Sequence, residues 1–154
     1  MKRPLALSLA LLLALPLLNQ CASVSTTSTE QSEAAKSFET VEDRGVVYLY
    51  RRGRAIGAAT STEIKINGFT AGGTGPSTFF MWKLKPGKYT FSAFTKEASA
   101  AVELDVEAGQ LYFIEQIEKI GLDSGRVKIE HRDEATGKGA VKGYKMLVSA
   151  YVPD

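Results

Sequence analysis

Alternation of apolar and charged side chains is the feature that most limits what this chain can become. In Val102-Glu103-Leu104-Asp105-Val106-Glu107 every second residue is apolar. A strand sends successive side chains to opposite faces, so the segment has one buried and one solvated face. The same pattern in Glu63-Ile64-Lys65-Ile66 runs into Asn67-Gly68, a pair that takes positive φ at both central positions of a tight hairpin turn. Val46 to Tyr50 is apolar on both faces, as in a buried central strand. Thr78 to Leu84 holds Phe79, Phe80, Met81 and Trp82. Its alternation sends at least half of these aromatics inward, so core is favoured over an exposed platform for sugar or peptide. Pro86-Gly87 makes the next turn, with proline fixing the first central φ and glycine accepting a positive second one. Lys88 to Thr95 follows, with Tyr89, Phe91 and Ala93 on one face. Gln110 to Lys119 and Arg126 to Arg132 complete the strands. Residues 51–61 and 72–76 read as loops. Ala135 to Val148 has room for a short helix, weakened by Gly137, Gly139 and Gly143. Some seven short strands between turn signals predict a mainly β protein: a single antiparallel β-sandwich, immunoglobulin-like or prealbumin-like, over residues 44–152. Tyr112, just past the Gly109 turn, is either an ordinary strand aromatic or similar to a tyrosine corner, whose hydroxyl bonds back to nearby backbone.

The first twenty residues have a different character. Lys2 and Arg3 precede an apolar run, Leu5 to Leu18, broken only by Ser8 and Pro16. A basic start and a short apolar run form a secretory signal. A bilayer span needs about 20 apolar residues, more than this run supplies. Leu18-Asn19-Gln20-Cys21 resembles the lipobox of bacterial lipoproteins in its aliphatic residue and its cysteine; Asn19 and Gln20 are larger than usual there. Ordinary signal cleavage before Val24 is the alternative. Cys21 is the sole cysteine and has no intramolecular disulfide partner, which favours lipidation. The expectation is a signal peptide over 1–20, a lipid on Cys21, and a domain held at the outer membrane facing the periplasm; the inner membrane and the soluble periplasm are the alternatives. Residues 21–43, rich in Ser, Thr and Glu, read as the anchor site and a flexible tether, or else carry a helix over 30–38.

Removing residues 1–20 takes Lys+Arg from 19 to 17, against 17 Asp+Glu. The remaining chain is formally neutral and has no global attraction for nucleic acid.

Four segments carry a family resemblance. They are Val47-Tyr48-Leu49-Tyr50-Arg51, Ile64-Lys65-Ile66-Asn67-Gly68, Leu84-Lys85-Pro86-Gly87-Lys88-Tyr89 and Ala108-Gly109-Gln110-Leu111-Tyr112-Phe113. In order and spacing they are similar to the domain of unknown function 2846 family of bacterial lipoproteins. Tyr89 departs from it, since such turns often carry histidine. The resemblance implies a sandwich domain on a lipid anchor and implies no activity.

Few residues suggest chemistry. His131 is the sole histidine, on a predicted strand face with Val127 and Ile129. Alone it makes a poor metal site and fits a structural, partly buried imidazole. Gly72-Gly73-Thr74-Gly75-Pro76 lacks the Gly-Lys-Ser/Thr ending of a phosphate loop. Glu103, Asp105 and Glu107 fit a solvated strand face better than a catalytic acid and base. Arg51, Arg52 and Arg54 are the densest basic cluster. They suit either an acidic partner or lipid phosphate held through bidentate contacts, or a charged edge that resists sheet pairing. The expectation is a non-enzymatic binding or scaffolding module without cofactor or metal, partnered by the membrane through its anchor and by an envelope protein or glycan. An envelope hydrolase built around His131 and a passive spacer are the alternatives.

Overall fold

The computed structural model describes residues 24–53, 60–120 and 125–154. The signal segment, Cys21 and Arg54 lie outside the described residues. No helix among the described residues is long and apolar enough to cross a membrane.

Among the described residues nine strands form two sheets. In chain order they are β1 (Gly45–Arg51), β2 (Thr62–Ile66), β3 (Phe69–Thr74), β4 (Thr78–Leu84), β5 (Gly87–Phe94), β6 (Ser99–Val106), β7 (Leu111–Lys119), β8 (Arg126–Arg132) and β9 (Lys145–Met146). Helix α1 (Thr29–Ala35) precedes β1, and α2 (Glu134–Val141) lies between β8 and β9. One sheet has the order β8-β7-β1-β4-β9 and the other β3-β2-β5-β6. The second is antiparallel throughout. In the first, β1 pairs antiparallel with β4 but parallel with β7, and β4 pairs parallel with β9. Parallel neighbours need a crossover. Here the chain between β1 and β7 supplies one by building the whole second sheet.

The turns follow from their residues. Asn67 and Gly68 have φ of 49° and 84°, the positive pair a two-residue hairpin needs. Asn67 Oδ1 also accepts the Thr90 N–H at 2.8 Å, tying the turn to β5. Gly72 and Gly73, expected in a loop, belong to β3. Pairing with β2 shifts register at Ile64/Lys65, and Gly72 takes φ of 135°, so glycine here accommodates a bulge within a strand.

Two apolar clusters flank the five-stranded sheet. Between the sheets lie Val47, Leu49, Ile64, Ile66, Phe80, Trp82, Leu84, Phe91, Val106 and Ile114 among others. On the opposite face Val46, Tyr48, Tyr50, Phe79 and Phe113 pack beneath Ala35, Phe38 and Val141. The continuous apolar run of β1 reflects burial on both faces, and each residue from Gly45 to Arg51 is buried. Helix α2 closes on the sheet through Gly137. A Cβ there would stand 2.2 Å from Phe113 Cγ, so the glycine sets the approach distance. Asp133 caps this helix by accepting the Thr136 N–H at 2.9 Å.

Residues 24–43 do not form the expected tether. Ser28 and Gln31 make a reciprocal capping box that starts α1. Phe38 then packs on Tyr48 and Phe113, with ring centroids 5.4 and 6.0 Å away. The segment has few apolar residues, but Ala35, Phe38 and Val41 converge on one apolar sheet face. The ordered domain therefore includes residues 24–43 rather than starting at 44.

Both ends of the described chain close one side of the sandwich. Thr26 bridges Leu147, and the Val148 N–H donates to Ser25 O at 3.0 Å. Leu147 N donates to Phe79 O on β4 at 2.8 Å, and Ala150 N donates to Ala71 O on β3, also at 2.8 Å. Residues 145–150 thus span from one sheet to the other as a seam, with residues 25–27 paired along it. At the start of β7, Tyr112 Oη accepts the Glu107 N–H at 2.9 Å, the backward bond to nearby backbone that a tyrosine corner makes.

Candidate functional site

The arginine cluster is divided by strand parity. In β1 the side chains of Val47, Leu49 and Arg51 point between the sheets, and those of Tyr48 and Tyr50 point toward the helices. Arg51 is 1% exposed. Its Nη1 donates to Thr60 O at 2.8 Å and to Thr74 O at 3.0 Å, and its Nε lies 3.6 Å from Glu118 Oε1. The same oxygen accepts from Thr62 Oγ1 at 2.8 Å and Gln116 Nε2 at 2.5 Å. Thr74 Oγ1 donates to Gln116 Oε1 at 2.6 Å. Side chains from β1, β2, β3 and β7 thus form a buried polar layer at one end of the interior. Burial pulls the Arg51 guanidinium below its ordinary pKa, and Glu118 opposes that pull.

Arg52 points to the other face. Its Nε lies 2.5 Å from Glu115 Oε1, and Arg132 holds the second carboxylate oxygen. The Glu115 side chain is 2% exposed, so two guanidiniums compensate one buried carboxylate. Arg132 also pairs with Glu130, which pairs with Lys128. Donating a hydrogen bond to Glu115 raises the Arg132 pKa, and accepting one from Lys128 lowers the Glu130 pKa. Tyr50 is buried beside these charges, and its hydroxyl lacks a hydrogen bond of standard geometry. Burial, then the Glu115 charge, push it up to about 12.

Of the arginines offered as possible partner contacts, burial corrects the reading for Arg51 alone. Arg51 is enclosed between the sheets and does not reach a partner. Arg52 is half-exposed with its Nε engaged by Glu115. The cause is nonlocal: β7 supplies Glu115 and Glu118 to opposite faces of the sheet, one for each arginine.

His131 follows the predicted parity but is exposed rather than partly buried, because it stands past the end of the apolar layer. Its Nε2 lies 2.9 Å from Glu103 O and ties β8 to β6 across the sandwich edge. Glu103 and Asp105 on β6, and Glu107 after it, are exposed as expected for a solvated strand face. Among the described residues no group of three His, Cys, Asp or Glu is placed to hold a metal ion. Phe80 and Trp82 stack within the core, 5.1 Å between centroids, and Trp82 Nε1 donates to Ser149 Oγ at 2.8 Å.

A groove that the sequence did not reveal lies between α1 and β4. Its volume is about 380 Å³, and its lining includes Gln31, Ala34, Tyr48, Met81, Lys83 and Met146. Tyr48 Oη donates to Ala35 O at 2.7 Å and fixes the end of the helix that forms one wall. Burial, then the Glu39 charge, push this phenol up to about 12, so it stays a neutral donor. Apolar Met81 and Met146, with Gln31, Glu39 and Lys83 among the other lining residues, give an adaptable recess with both charge signs. The available signal was the Ser28-x-x-Gln31 capping box, which marks a helix start where composition alone suggested a tether.

The family described as "Protein of unknown function (DUF2846)" matches residues 41–139. An uncharacterized protein of Haemophilus influenzae is 32% identical over 134 residues, which are 86% of this chain and 79% of that protein.

Proposed function

We propose, on the premise that this chain belongs to the DUF2846 family, that it is an envelope lipoprotein whose sandwich is a binding or scaffolding module, not an enzyme. The carrying observation is the groove between α1 and β4 on a domain whose buried charges are compensated internally. Arg51, Glu115 and Glu118 hold the fold together, whereas the groove combines an apolar surface with several polar side chains, the composition of a recognition site. Leu18-Asn19-Gln20-Cys21 behind the Leu5–Leu18 run supports lipidation of Cys21 and an outer-membrane location facing the periplasm. The groove would take an extended segment of an envelope protein or a glycan chain.

Two measurements test this reading. Radiolabelled palmitate should enter the wild-type chain and not Cys21→Ser; equal labelling, or none in either, refutes the anchor. Affinity capture from detergent-solubilised envelopes should enrich one partner over an anchor-only control, and Ala34→Trp, which fills the groove, should abolish that enrichment. Capture that survives Ala34→Trp in a folded variant assigns binding elsewhere.

A further inference from the structure

We infer that the seam side of the sandwich lies against the phospholipid surface, so that the domain is held on the membrane rather than at the end of a tether. The inference rests on lipidation of Cys21 as proposed above. Val24 is the first of the described residues. Val24 packs against the inter-sheet core and stands against Gly73 and Gly75, at one end of β3. Only Ala22 and Ser23 separate it from Cys21. Three residues span at most about 11 Å when fully extended. A lipid on Cys21 therefore holds the Gly73–Gly75 end of β3 within about 11 Å of the headgroups.

The surface presented there carries large exposed apolar side chains, with Asp154 among them. Phe69 at the start of β3 is 69% exposed, Val148 on the seam 53%, and Val152 beyond it 80%. They lie along one side: Val148 N bonds Ser25 O, Ala150 N bonds Ala71 O, and Phe69 and Val152 line a common recess. Large side chains this exposed favour the interfacial zone of a bilayer, where apolar groups leave water and backbone polar groups stay hydrated. The opposite edge strand of the same sheet is β6, with Glu103 and Asp105 exposed and Glu107 just beyond. The acidic edge thus points away from an anionic membrane surface and the apolar one toward it. A short covalent link also holds the seam at high effective concentration beside the lipid, so weak apolar contacts suffice.

The test uses the full chain purified in its processed form. A lipidated Cys21 is a thioether and does not react with thiol reagents, so single cysteines at Phe69, Val148 and Val152 can carry an environment-sensitive fluorophore, with Ser99→Cys and Lys128→Cys as distal controls. Mass measurement of the N-terminal peptide establishes the lipid. On transfer from detergent to vesicles of phosphatidylethanolamine and phosphatidylglycerol, the three seam probes should gain several-fold in intensity, shift to the blue and become shielded from iodide, while the controls stay unchanged. Seam probes as wet as the controls on a lipidated chain overturn the orientation and leave the anchor standing. A seam shift already present in detergent, and rising with protein concentration, assigns the surface to a second copy and overturns the inference. A chain without lipid removes both the anchor and the orientation.

Discussion

Two tyrosines on one strand face show how much a single hydroxyl depends on its neighbours. Tyr48 donates to Ala35 O, whereas Tyr50, two residues on, has a buried hydroxyl without a standard hydrogen bond. Tyr48→Phe should cost about 1 kcal/mol, the net contribution of one hydrogen bond. Tyr50→Phe should leave stability unchanged or raise it at pH 7, because it removes a desolvated polar group. Urea unfolding of both variants checks the contrast; a larger loss for Tyr50→Phe would mean that its hydroxyl is bonded in solution. Both phenols are also raised from 10.0 to about 12. A raised pKa means that the folded state favours the neutral form. Its contribution is complete below pH 10 and is lost as pH rises through about 12. Stability should fall across that window, and less steeply in Tyr50→Phe. Arg51 carries the lesson about legibility at this scale. Period-two parity already places it on the inward face with Val47 and Leu49. Its burial depends on Glu118, 67 positions away, which no local pattern reveals.

Among the elements, α2 was the least legible, since glycines at 137 and 139 argue against a helix. The two have different structural standing. Gly137 is buried with Phe113 where a Cβ would sit, whereas a Cβ at Gly139 meets nothing within 4 Å. Gly139→Ala should therefore stabilise by about 0.5–1 kcal/mol through helix propensity. Gly137→Ala should destabilise by about 1–3 kcal/mol despite the same propensity gain, because the helix must move off Phe113. Thermal unfolding of the two variants should shift in opposite directions, and equal shifts would refute the contact. The strands were far more legible: Thr78–Leu84 and Arg126–Arg132 match their predicted bounds. Alternation and turn residues are local properties, so they survive being read without neighbours. A register shift inside β3 is not local, and its glycines read as a loop.

For the molecule as a whole, the five-stranded sheet is covered on both faces, and the cover on one face comes from the two helices. Residues 24–40 lie before the segment that matches the family, yet they shield Tyr48 and Phe113. A chain starting at Val41 should expose that face, bind the dye ANS and unfold with a lower urea midpoint than a chain starting at Val24. Equal midpoints and no dye binding would show that α1 contributes nothing to the fold. The same cover turns an expected tether into a docked wall, and so brings both the groove and the seam into being.

What the sequence by itself determined is the sandwich, its strands other than β3 and β9, the Asn67-Gly68 turn and the double-sided burial of β1. Each follows from side-chain period and backbone preference within a few residues. The resemblance carried by four short segments likewise holds, and the chain belongs to that family. Only the tertiary structure decided the parallel pairing of β1 with β7, the internal pairing of Arg51 and Arg52, the helical wall over Tyr48 and the closing of one side by both chain ends. The physical reason is common to all four. Each depends on groups far apart in sequence, whose meeting follows from burying both faces of one sheet. The expected link between Cys21 and the domain changed most: a serine- and threonine-rich segment reads as solvated until Ala35 and Phe38 find an apolar face to cover.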